Sequence, residues 1–178
     1  EVMVRVRAPE KAGETSKRAA LRLALVIDRS GSMSGEPLNE AKRCVQHIVS
    51  RLQPTDSVAV LAYDHEVQTP VPLQPTRSSQ AILSAIREIE SGGTTDLHSG
   101  WEEGARQLEA GHAEAISRVI LLSDGQANHG LVDPQEIFKH CASWLGKGVT
   151  TTTVGLGRGF NEDLMVGMAP TGGGQDYY

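Results

Sequence analysis

No apolar run in this chain approaches the roughly 20 residues needed to span a bilayer. The longest, Leu23 to Ile27, has the length of a β-strand, so direct membrane insertion is not expected. There is no cluster of Lys and Arg either. With a net charge of −5, the chain is a poor match for a phosphate backbone, and nucleic acid is not an expected partner. No basic-then-apolar leader opens the sequence. It starts at Glu1 without a Met, so the missing leader says little about the full protein. Cysteine occurs only as Cys44 and Cys141. Both lie among apolar neighbours in segments that read as helices, as two small buried residues would. Two free thiols lean toward a reducing, cytoplasmic compartment without fixing it. Internal repeats and low-complexity blocks are also absent. So are a Gly-x-x-x-x-Gly-Lys-Ser/Thr phosphate loop and the Gly-x-Ser-x-Gly elbow of serine hydrolases. Gly155-Leu156-Gly157-Arg158-Gly159 misses the dinucleotide spacing, and no second βαβ unit with a ribose acid follows it.

What is present fits one soluble α/β domain: 178 residues, 39% hydrophobic and 22% charged. Strand and helix patterns alternate throughout. Val2 to Val6 alternates like a half-exposed edge strand, and residues 8 to 18 read as a loop. Residues 1–20 are thus expected to lead into a domain spanning 21–178. Leu21 to Ile27 reads as a buried parallel strand, and Glu36 to Leu52 as an amphipathic helix with Pro37 in its first turn. Ser57 to Tyr63 and Glu66 to Leu73 form a hairpin turned at Asp64-His65, with prolines at 70, 72 and 75 marking an edge. Helices follow at Ser79 to Glu90 and Gly100 to Leu108, then a strand at Arg118 to Leu122. A helix N-capped by Asp133 runs to about Leu145. Gly148 to Val154 is a Thr-rich strand, Asn161 to Met168 a short helix and Gln175 to Tyr178 a final strand. This alternation predicts a Rossmann-like, doubly wound and mainly parallel sheet of about six strands. One edge strand is antiparallel, and helices lie on both faces.

Ligands of such sheets bind beyond the carboxyl ends of the strands. Three transitions there carry polar side chains. Strand 21–27 enters Asp28-Arg29-Ser30-Gly31-Ser32, loop 91–96 presents Thr94, Thr95 and Asp96, and strand 118–122 enters Ser123-Asp124-Gly125. The inventory is carboxylates and hydroxyls, with His98 the one imidazole close to this rim. Hard oxygen donors suit Mg²⁺, Ca²⁺ or Mn²⁺ and suit zinc poorly. A loop turning at Gly31 can aim alternate residues, Asp28, Ser30 and Ser32, at one point. Neutral hydroxyls would leave an ion under-neutralised and receptive to an incoming carboxylate.

At these residues the chain resembles the von Willebrand factor type A family, the fold of the integrin inserted domains. Its metal-ion-dependent adhesion site uses an Asp-x-Ser-x-Ser loop, a Thr on a second loop and an Asp on a third. Here those positions hold Asp28, Ser30, Ser32, Thr94 and Asp124. Leu25-Val26-Ile27-Asp28, Gly92-Gly93-Thr94 and Leu121-Leu122-Ser123-Asp124-Gly125 fit as well. Gly159 to Met165 and the Gly-rich stretch after it are similar to prokaryotic members and to inter-alpha-trypsin inhibitor heavy chains. The resemblance implies a non-enzymatic adhesion or scaffolding module. One ion, Mg²⁺ in the first place and Ca²⁺ or Mn²⁺ as alternatives, would keep a position open for a partner's Glu or Asp. It also implies that Thr94 moves between direct and water-mediated contact as affinity changes. Arg29, a long cation inside the motif, departs from the pattern and is expected to point away from the ion.

Other readings stand beside this one. Turn formation and capping explain any one of the five residues but not all of them together. Asp96 either stands behind the ligands and holds a metal-bound water or caps the following helix. Thr95 reads as structural, His98 as a hydrogen-bonded surface histidine, and Glu36 and Asn128 as rim residues. The site could instead serve intramolecular packing, taking its carboxylate from a neighbouring domain. More remotely, the ion could act as a Lewis acid in a hydrolase.

Overall fold

The computed structural model describes residues 18–109, 114–157 and 162–178. The expected edge strand at Val2 to Val6, and Gly159 to Asn161 ahead of the last helix, lie outside the described residues. Six strands form one sheet in the order β3-β2-β1-β4-β5-β6. They are β1 (Leu21–Asp28), β2 (Ser57–Tyr63), β3 (Val67–Pro75), β4 (Ile116–Ser123), β5 (Val149–Gly155) and β6 (Asp176–Tyr177). All neighbouring pairs are parallel except β2 and β3. Three prolines lie in β3, which can hold them because among the described residues it is the outermost strand, with no ladder partner on its outer edge.

Period-two alternation in β1 and β4 feeds two cores. On one face Ala24, Val26, Leu61, Val119 and Leu121 pack under α3 (Leu97–Gln107), α4 (Pro134–Gly146) and α5 (Glu162–Thr171). On the other face Leu25, Ile27, Val58, Val60 and Leu122 pack under α1 (Glu36–Arg51) and α2 (Ser79–Arg87). The Thr-rich β5 satisfies most of its hydroxyls internally. Thr151 Oγ1 accepts the Trp101 indole N–H at 3.0 Å, and Thr153 donates to the Met165 carbonyl at 2.9 Å.

Some boundaries differ from the pattern-based reading. The helix expected from Gly100 starts three residues earlier, because Asp96 caps it and accepts from Ser99 N at 3.0 Å. Asp133 caps α4 as expected, accepting from Gln135 N and Glu136 N. The helix expected to reach Glu90 ends at Arg87, and α5 runs on through Pro170 to Thr171.

The architecture places the site through its crossovers. The chain leaves β1 for α1 on one face and leaves β4 for α4 on the other. Adjacent β1 and β4 therefore feed loops that diverge to opposite faces. Between them, at their carboxyl ends, opens the crevice where such sheets bind ligands.

Candidate metal centre

Asp28 is the last residue of β1 and is fully buried. Its Oδ1 accepts Ser30 N at 2.9 Å, which bends the chain back into the short 3₁₀ turn Gly31–Met33. That bend brings the Ser30 and Ser32 hydroxyls within 3.2 Å of each other. Asp28 Oδ2 accepts from Ser123 Oγ at 2.6 Å and from Tyr63 OH at 3.1 Å. Every donor to this carboxylate is neutral, and among the described residues no cation pairs with it or with Asp124. Burial raises the Asp28 pKa above its ordinary value. The hydrogen bonds from Ser123 and Ser30 oppose that rise, and the negative charge of Asp124 adds to it. Asp124, 5% exposed, turns one carboxylate oxygen to Gln126 N at 3.0 Å.

Backbone bonds join the Gly92–Thr95 loop to this pair. Gly31 N donates to the Gly93 carbonyl at 2.9 Å and Gly92 N to the Arg29 carbonyl at 2.6 Å. Thr94 thus follows immediately on the residue that touches Gly31, and its side chain is exposed. Buried Thr95 is held by the rim residue Asn128, whose Oδ1 accepts Thr95 N at 2.9 Å. Asp28, Ser30, Ser32, Asp124 and the Thr94 loop therefore gather at one end of the β1–β4 crevice. The donor set is all oxygen, and the two neighbouring carboxylates have no cationic partner among the described residues. That chemistry fits a hard divalent cation.

Arg29 turns aside, as expected for the departing residue, but into a specific partner. Its guanidinium pairs with Asp64 Oδ2 at 2.8 Å. Asp64 is more than the turn residue expected from sequence. Its buried carboxylate also accepts Glu66 N at 2.9 Å and Gly93 N at 3.1 Å, clamping three loops together. Burial pushes the Asp64 pKa up. The hydrogen bonds from Glu66 and Gly93 and the charge of Arg29 outweigh it, so the net shift is downward. A Cβ at Gly92 would lie 1.8 Å from Asp64 Oδ2, so only glycine fits beneath the clamp.

Tyr63, Ser123 and Asp64 were not singled out as site residues from sequence. The available signal was positional: Tyr63 and Asp64 end β2 as Asp28 ends β1, and the sheet register pairs Asp28 with Tyr63. His98 is hydrogen-bonded as expected, its Nε2 2.7 Å from His140 Nδ1 on α4, but it is buried and not a surface histidine. Burial, the largest influence on it, depresses its pKa. Glu36 is exposed and pairs with Arg43 at 2.5 Å.

A family model for the von Willebrand factor type A domain matches residues 23–178. The uncharacterized protein sll0103 of Synechocystis is 30% identical over 175 residues, covering 98% of this chain and 41% of its own length. Human inter-alpha-trypsin inhibitor heavy chain H3 is 28% identical over 162 residues, covering 83% of this chain and 18% of its own length. The chain thus spans well under half of these relatives. Among solved structures, mussel byssus proximal thread matrix protein 1 with a zinc-occupied MIDAS motif superposes with a TM-score of 0.70. That match has 21% identity and covers 85% of this chain and 41% of that one. The chain is a member of the von Willebrand factor type A domain family.

Proposed function

We propose that the carboxyl-edge cluster binds one divalent cation, Mg²⁺ in the first instance, and that the domain uses it to hold an acidic side chain of a protein partner. Ser30, Ser32 and Thr94 would offer hydroxyls, and Asp28 and Asp124 carboxylates. Asp96, whose Oδ1 caps α3, would support the Thr94 loop and does not itself ligate. The bound ion would supply an electrophilic position that a Glu or Asp from outside can fill. The observation that carries this reading is the buried Asp28 carboxylate beside Asp124, with paired serine hydroxyls and no cationic side chain among the described residues. Ionised carboxylates taken out of water need a compensating charge, and none of the described residues supplies it.

This is a binding module and not an enzyme. The sequence carries no Gly-x-Ser-x-Gly elbow to present a nucleophile. A second reading is favoured by the short span of the chain relative to its relatives. A carboxylate from another domain of a longer protein would then fill the open position and fix domain packing.

Calorimetric titration of metal-stripped protein with Mg²⁺, Ca²⁺ and Mn²⁺ tests the ion site. One ion per chain is expected, with binding lost in Asp28→Ala and in Asp124→Ala while the circular dichroism of the fold persists. Variants that bind the ion as the parent does would sink the reading. If metal removal from a full-length protein loosens its domains without releasing a separate partner, the packing role is the correct one.

A further inference from the structure

On the α3/α4 side of the sheet lies a second group of ligand-type side chains. His98 and Glu102 are four residues apart on α3 and so share a helix face. His140 reaches them from α4. One ligand atom from each of the three lies within 4.8 Å of the others. We propose that His98, Glu102 and His140 form a separate binding site for a transition-metal ion of the Zn²⁺ type, clipping α3 to α4.

Two imidazoles and a carboxylate are the donor set of a three-ligand zinc site whose fourth position stays open. They are the wrong set for Mg²⁺, which prefers oxygen. Zinc–nitrogen bonds of about 2.0–2.1 Å in a tetrahedron put ligand atoms roughly 3.3 Å apart. His98 Nε2 and His140 Nδ1 stand at 2.7 Å as a hydrogen-bonded pair, so a small rotation of the rings makes room for an ion. His98, 7% exposed, sits beside Trp101, which limits its freedom. Glu102 and His140 open onto a shallow cleft that they share with Ser143, Trp144 and Lys147, so an ion and a water can enter. The competing claim on Glu102 is weak. Arg106 faces its Oε2 at 3.5 Å and leaves Oε1 available. Cys141 follows His140 but is fully buried, and burial pushes its thiol up to about 12, far from the thiolate that binds metal.

The test separates this site from the carboxyl-edge cluster. Zn²⁺ and Mg²⁺ are titrated into the metal-stripped Asp28→Ala/Asp124→Ala double variant, and Zn²⁺ also into the parent chain held in millimolar Mg²⁺. One Zn²⁺ per chain is expected in both, with no Mg²⁺ bound by the double variant. At a hundredfold excess over Kd the melting temperature should rise by roughly 5 °C or more. His140→Ala, which alters a partly exposed residue, should weaken zinc at least about tenfold in either background, and His98→Gln should do the same. Co²⁺ in place of zinc should give the visible absorption of a tetrahedral site without a thiolate-to-cobalt band. Zinc binding that is untouched by His140→Ala, or that vanishes with Asp28 and Asp124, overturns the proposal. So does a thiolate-to-cobalt band.

Discussion

Asp28 is held by backbone and hydroxyl donors with no cation near it among the described residues, and burial, which those hydrogen bonds only partly offset, raises its pKa. The folded, metal-free protein therefore binds a proton at Asp28 more tightly than the unfolded chain does. Its stability should gain as pH falls from above the folded pKa toward the ordinary carboxylate value. Asp28→Asn should remove that contribution, leaving a metal-free protein at least as stable as the parent at pH 7 but unable to hold the ion. Urea denaturation across pH, with and without Mg²⁺, checks both statements. A metal-free Asn variant markedly less stable than the parent at pH 7 would contradict the first. Ser123 and Tyr63 act one step further out, fixing the orientation of the Asp28 carboxylate. Ser123→Ala and Tyr63→Phe should each weaken ion binding roughly 10–100-fold, read in the same titration. Unchanged affinity in both would assign them to packing alone.

The element that presents the Thr94 loop is α3, and its seat on the sheet depends on two glycines one turn apart. A Cβ at Gly100 would lie 2.3 Å from the Tyr63 ring and one at Gly104 2.6 Å from Val26 Cγ2. Alanine is the better helix former by about 1 kcal/mol, yet overpacking a buried contact costs about 1–3 kcal/mol. Tyr63 is itself fully buried and pinned to Asp28, so it has little room to yield. Gly100→Ala should therefore destabilise the fold and lower the denaturation midpoint. It should also disturb ion binding through Tyr63. A gain in stability would show that α3 can lift from the sheet. The helical stripe of α1 and the Asp133 cap of α4 were legible in sequence because they are local patterns. The start of α3 was not, because the Thr94-Thr95-Asp96 segment reads equally as loop or cap until the backbone position of Ser99 is known.

Across the whole molecule, the two ends of the sheet handle buried carboxylates in opposite ways. At the amino end, Asp56 is fully buried and accepts Leu21 N at 2.9 Å and Gln53 N at 2.7 Å, with Arg18 at 2.5 Å. Burial pushes its pKa up, but these donors together bring it below the ordinary 3.8. Its stabilising contribution is complete above that ordinary value and is lost as pH falls through the lower folded pKa. Asp56→Asn should thus be destabilised relative to the parent at neutral pH, with the gap closing only in strong acid. A gap independent of pH would show that shape, and not charge, carries the interaction. One end of the sheet is closed by its own cation and amides. The other carries the Asp28 and Asp124 carboxylates with no cationic partner among the described residues.

Sequence by itself determined the order of elements and the two-faced sheet, because both are written in local periodicity, and its resemblance to the family pointed to Asp28, Ser30, Ser32, Thr94 and Asp124 as candidate ligands. Only the tertiary structure decided which strands adjoin, and hence that Asp28 and Asp124 share one crevice. The same holds for the Arg29–Asp64 clamp, the support of Asp28 by Tyr63 and Ser123, and the pairing of His98 with His140. Those contacts join residues 35 to 95 positions apart. No local pattern encodes such separations, and burial in a packed core sets which partner each polar group finds.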